Sequence, residues 1–327
     1  MGTCPTACFG TIEEGVDPMR QKESALAVIA VVTVLAILAM VSFSGYYSFI
    51  NRMFLAGILA SLACGVVGTF VVVRRVVFMS DAIAHSTFGG IGLAFLLQSA
   101  LGWLWFDPMI GAALFALGAA VILSMGWSRM SVREDSVIGV LWVIGMALGV
   151  LFYSLVDPRN VSLISPESIL FGSILLISEE TLWMMLAILA AIYVVVFLLF
   201  RDLQILTFDE EHARISGLNV PLTNFILLAL IAFTIIALIQ LVGVILAIAM
   251  LTIPAAIAGT FTDGLKSMML SAVTISLVLT AAGSFAAIAI DTPPGATIVI
   301  LMGAVFITVM LLRLLKRGGA TRAGQGS

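Results

Sequence analysis

The sequence predicts an all-α, polytopic membrane protein, a bundle of about ten transmembrane helices. Three observations point there. Of the 327 residues, 62% are hydrophobic and only 10% are charged, whereas a soluble domain carries about 25% charged residues. Ten stretches reach the length that a mostly apolar, bilayer-spanning helix requires, roughly 20 residues. Lys and Arg are also distributed unevenly between the intervening loops. With the N-terminus inside, thirteen of the fifteen fall on inner faces and only Arg52 and Arg159 on outer ones, the asymmetry expected of a cytoplasmic side.

The predicted spans are 24–45, 53–73, 76–100, 108–127, 136–156, 181–200, 221–240, 241–260, 267–290 and 293–313. Residues 1–23 form an N-terminal tail, 24–317 a single transmembrane domain, and the Gly-rich residues 318–327 a disordered tail, both tails being cytoplasmic. The stretch 161–178 is too short to span and contains Pro166 and Gly172, so it is expected as an outer helix or a re-entrant piece. The first 23 residues are mixed and acidic and do not read as a cleavable leader. A bacterial inner membrane is then the simplest location. No basic patch favours nucleic acid. Cys4, Cys8 and Cys64 make no disulfide framework.

Chemistry is concentrated between Arg74 and Gly92. Asp81 and His85 stand four residues apart, so a helix places them on one face. An ionisable residue inside a membrane segment is costly and by default marks a pathway or binding site. A carboxylate and an imidazole together suit a divalent first-row metal. The plainer alternative has Asp81 capping the helix or pairing with Arg74 or Arg75, and His85 bonding a carbonyl. Asp81 lies six residues beyond Arg75, roughly 9 Å along a helix, which is deep for a surface pair.

Three other stretches stand out. The loop from Arg201 to Val220 holds Asp209, Glu210, Glu211, His212 and Arg214. Its core, Phe208 to Leu218, is expected as a short amphipathic helix ending at Gly217, with Ala213, Ile215 and Leu218 seated in a partner's groove. Gln240 to Ala258 is rich in small residues and interrupted by Pro254, which fits either close helix packing or a moving, pore-lining helix. Asp291-Thr292-Pro293-Pro294-Gly295 makes a rigid outer turn, in which Asp291 caps the next helix or faces an incoming cation. The chain has no Gly-rich turn closed by Lys and Ser or Thr, so any ATP hydrolysis belongs to another subunit.

Several motifs occur together and in order. Val71 to Leu93 contains a basic turn, then Met79-Ser80-Asp81, then His85. Arg133-Glu134-Asp135 is followed by Ile138-Gly139. Glu167 to Gly172, Phe208 to Leu218, Leu241 to Ala258 with Pro254-Ala255-Ala256, and Asp291-Thr292-Pro293 complete the set. In these the chain resembles permease subunits of the manganese/zinc/iron ABC importer family, over about Phe54 to Leu314.

The resemblance implies a type II ABC importer-like fold and a homodimer of permeases seated on two cytoplasmic ATPases. It also implies an extracytoplasmic metal-binding protein that delivers the ion. No cofactor is held permanently; Mn²⁺, Zn²⁺ or Fe²⁺ is the transported substrate, with Asp81 and His85 as its ligands. Phe208, Asp209, Glu210, Glu211, Ala213, Arg214, Gly217 and Leu218 would form the coupling segment, and Pro254 and Asp291 are candidates for gating. Two positions depart from the pattern: Ser80 replaces the usual Gly, and Gly89 stands where many members have Pro. The span 24–45 is extra relative to short members. A chelate importer of siderophore or cobalamin type and an ion-gradient-driven carrier are the alternatives.

Overall fold

The computed structural model describes residues 48–103, 105–125, 133–157, 159, 169–170, 172 and 178–323. The expectations for residues 1–23, the span 24–45, Cys4, Cys8, Arg129, Glu167 and the last four residues lie outside the described residues. So does most of the stretch 161–178. The described residues belong to one compact unit and are helical, without strands.

The helices are α1 (Ser48–Val73), α2 (Val77–Leu101), α3 (Pro108–Ser124), α4 (Glu134–Ser154), α5 (Glu179–Phe208), α6 (Glu210–Ile215), α7 (Val220–Ala258), α8 (Leu265–Ile290) and α9 (Pro294–Ala323). Local chemistry sets most of their ends. Asp107 accepts from the Met109 amide at 2.7 Å ahead of Pro108, which starts α3. Ser178 accepts from the Thr181 amide at 3.1 Å and starts α5. Gly102, in the left-handed conformation with φ 66°, closes α2 through a bond from its N–H to the Gln98 carbonyl.

α7 is two legs. Gly243 has φ 74° and ψ 172°, a backbone conformation inside the helix that is open to glycine. Val220 packs with Leu206 and Ala213, while Ala255 and Ala258 pack against Val72 and Val73. Both ends of α7 therefore lie at the Arg74 end of α1, and the chain turns back at Gly243. This matches the tight junction expected at 240–242. Gly172 comes up against the turn: a Cβ on it would stand 2.5 Å from the Val242 carbonyl carbon. Counting both legs, α1 to α5 and α7 to α9 make nine passes among the described residues, the nine predicted after residue 45. Six helices are long and apolar enough to cross a membrane, and α3 and the return leg of α7 are shorter apolar helices. α2 falls outside that set because Asp81, His85 and its Ser and Gly residues dilute it.

Two packing groups emerge, joined by α7, which packs on α1, α2 and α3. α2 lies between α3 and α4, and α1 packs on α7, α8 and α5. α1 and α2 are consecutive yet barely touch. The first group is drawn together by glycines: a Cβ on Gly90 would meet the Gly111 backbone, one on Gly92 the Gly149 backbone, and one on Gly145 the Ser86 backbone. Apolar helices in lipid gain little from hydrophobicity alone, so close backbone approach at small residues supplies the contact.

Three expectations are corrected. α5 continues to Phe208, so the first half of the loop expected over 201–220 is helix, held by the buried Leu203 and Leu206. α9 continues through Ala323, so the tail expected to lack structure from Gly318 is helical in its first residues; once a helix exists, each added residue gains a bond at small cost. Asp291 does not cap the following helix. It ends α8 in the left-handed conformation, φ 55°, with its N–H bonded to the Ala287 carbonyl.

Candidate functional site

α2 leaves a tight turn and enters the bundle. Arg75 adopts φ 62° in that turn, which costs a non-glycine residue about 1 kcal/mol. Ser80, Ser86 and Thr87 are buried, and each returns its hydroxyl hydrogen bond to its own helix, at Val77, Ala82 and Ala84 respectively. That leaves Asp81 and His85 as the polar groups of this stretch not absorbed by the backbone.

The two meet. His85 Nε2 and Asp81 Oδ1 are 3.2 Å apart, with side chains 12% and 29% exposed. The indole of Trp142 on α4 stands edge-on to the imidazole, ring centres 5.4 Å apart. His85 Nδ1 is buried and has no hydrogen-bond partner among the described residues. The plainer sequence alternative, with Asp81 pairing to Arg74 and His85 bonding a carbonyl, is not the arrangement found.

This geometry suits a small cation. A metal held about 2.1 Å from each atom would subtend about 100° across a 3.2 Å separation, between octahedral and tetrahedral angles. Two ligands are few. Among the described residues no group of three or more His, Cys, Asp or Glu gathers as a metal cage.

A cleft of about 450 Å³ opens at the Arg74 end. It is lined by the Arg74–Arg75 turn, the end of α3, Glu134 and Asp135 at the start of α4, and residues of α5, α6 and α7. Ile138 of α4 lines it, one turn before Trp142, so the cleft stops about a turn short of His85.

α6 is the core of the expected coupling segment. Asp209 caps it, accepting from the Glu211 and His212 amides at 2.9 Å each. It ends at Ser216, and Gly217 turns the chain with φ 79°. Phe208 and Ile215 are exposed, and Glu210, Glu211 and Arg214 lie on the exposed side. Ala213 and Leu218 are a correction. They pack inward with Leu206 and Val220 of their own chain, because a six-residue helix needs an apolar seat to stay in place. Pro254 is buried in the return leg of α7. Asp291, at the end of α8 away from Arg74, is not brought to the Asp81–His85 pair.

Sequence reading missed Arg74. Its guanidinium donates to the Leu206 carbonyl at the end of α5 and lies 3.4 Å from Glu210, which Arg214 also contacts at 2.7 Å. Burial lowers the pKa of Arg74, opposed by the charges of Glu210 and Glu134. Only its place in a basic pair hinted at a role; its partners lie 132 and 136 positions away.

An all-helical, multi-pass bundle with an ionisable pair inside one of its helices has the build of a membrane permease. The chain belongs to the ABC 3 transport family, whose model matches residues 46–313. It is 30% identical over 280 residues to a manganese transport system membrane protein of Halalkalibacterium halodurans, covering 86% of this chain and 92% of that protein. It is 32% identical over 274 residues to a chelated iron transport system membrane protein of Yersinia pestis, covering 83% and 87%. Its fold resembles PsaBC from Streptococcus pneumoniae, solved in complex with Fab, with TM-score 0.69 and 27% identity over 84% of this chain and 94% of that one.

Proposed function

We propose that this chain is the permease subunit of an ATP-driven importer of divalent transition-metal ions, Mn²⁺, Zn²⁺ or Fe²⁺. It works as a homodimer on two cytoplasmic ATPase subunits and takes the ion from an extracytoplasmic binding protein. The termini and the Arg74 end face the cytoplasm of a bacterial cell, in keeping with the Lys and Arg bias. The observation that carries the reading is the Asp81–His85 pair, set 3.2 Å apart within a membrane helix.

The ion exchanges hydration water for an oxygen and a nitrogen, and a second copy of the chain doubles the ligand count. Coordination at Nε2 uses the ring nitrogen's lone pair. ATP closes the ATPases, which move α6 and tilt the bundle. The relative named for chelated iron supports a second reading, import of a metal chelate. A chelate already fills the metal's coordination sphere and would not use the pair.

The test is competitive metal uptake in cells carrying the full system, comparing wild type with Asp81→Asn and His85→Ala while membrane insertion and assembly are monitored. Both variants assemble and lose uptake, and the wild-type competition profile names the metal. Normal uptake by both variants sinks the site. Uptake of a chelate but not of the free ion favours the second reading.

A further inference from the structure

We infer that Arg74 is a positioning residue that ties α6 to the helix carrying Asp81 and His85. This rests on the proposed function for what it accomplishes, but not for its geometry.

α2, α3 and α4 are locked together at glycines, while α1 packs with α7, α8 and α5. The pair on α2 thus belongs to one packing group and α1 to the other. The covalent joint between them is the short turn at Arg74 and Arg75, where Arg75 takes a left-handed backbone. α7 packs on members of both groups, and with so little contact between α1 and α2 this turn is the direct link between them, so what holds the turn holds the start of α2.

Arg74 holds it. One guanidinium nitrogen donates to the carbonyl of Leu206, in the last turn of α5, and another reaches Glu210 in the first turn of α6 at 3.4 Å. The Arg74 side chain is 11% exposed, so these partners replace water around the charge. Glu210 is also held by Arg214 within α6, at 2.7 Å. A displacement of α6 carries Glu210 with it and so pulls on the turn. Arg214 offers an internal control: it touches the same carboxylate but lies wholly on α6.

The test uses the full chain in lipid nanodiscs, with Cys4 and Cys8 replaced by Ser and the fully buried Cys64 left in place. Spin labels go on Ile215→Cys and Met125→Cys, exposed positions on α6 and at the end of α3. The distance distribution between them is narrow in the parent. It broadens about twofold in Arg74→Gln and in Glu210→Gln, as expected when a linking contact is lost, and stays narrow in Arg214→Gln. An unchanged width in Arg74→Gln, or equal broadening in Arg214→Gln, overturns the inference. Should Arg74→Gln fail to insert, Arg74→Lys and Glu210→Gln carry the same comparison.

The second measurement is metal taken up per ATP hydrolysed by the assembled complex. In Arg74→Gln that ratio falls about tenfold, the scale on which a single residue modulates coupling between sites, while ATP hydrolysis persists. A parallel fall of both makes Arg74 merely structural and overturns the inference. If the wild-type complex moves no metal, the functional reading fails, and the spin-label distances still decide this one.

Discussion

Substituting Gly90 by Ala tests how α2 is held. A Cβ there would stand 2.5 Å from the carbonyl carbon of Gly111 and closer still to its oxygen, where ordinary contact begins near 3.4 Å. The shortfall is 3.4 − 2.5 = 0.9 Å, and it falls on backbone, which cannot rotate aside. α2 and α3 must therefore part by more than that distance, since the oxygen stands closer than the carbon. Overpacking of this kind costs roughly 1–3 kcal/mol, and separating the helices also weakens the packing of neighbouring side chains. Gly118 on α3 is the matched control, since a Cβ there meets nothing within 4 Å. Alanine at that site gains helix propensity, about 1 kcal/mol. The assay is thermal unfolding of the detergent-purified chain, followed as loss of the monodisperse peak. Gly90→Ala lowers the midpoint and Gly118→Ala leaves it unchanged or raises it. Equal midpoints for the two variants would refute the close approach of α2 and α3.

Other outcomes follow from the same geometry. Gly243→Ala and Gly217→Ala both place a side chain at positive φ, but only at Gly243 does the new Cβ also strike backbone, 2.6 Å from the Leu170 carbonyl carbon; Gly243→Ala therefore lowers the unfolding midpoint more, and equal losses would show that the Gly172 contact carries nothing. Asp209→Ala removes the acceptor for two amides of a six-residue helix, a loss of about 1 kcal/mol, so hydrogen exchange over residues 210–215 quickens about fivefold; unchanged exchange counts against the cap. Trp142→Ala uncovers one face of the His85 ring and slows uptake with membrane insertion intact; wild-type uptake would make the indole incidental.

Much of this protein was legible along the chain because the relevant signals are local. A span announces itself by about 20 apolar residues, and a break by the glycine that the backbone needs there, as at Gly102 and Gly217. Asp81 and His85 share a face by helical spacing alone, and the structure brings them to 3.2 Å. The Asp209 cap of α6 was not read from the sequence, although its chemistry is local, a side chain bonding amides two and three residues on.

Tertiary structure decided which faces meet. In a helix that is apolar all round, no stripe distinguishes the packed side from the lipid side, so hydropathy could not pair Gly90 with Gly111 or set Trp142 against His85. Ala213 and Leu218 read as a partner's contact because their cover, Leu206 and Val220, comes from the ends of the flanking helices. Arg74 read as one more inner-face charge, and its part as the tie between α5, α6 and α2 arises only when partners more than a hundred residues distant fold against it.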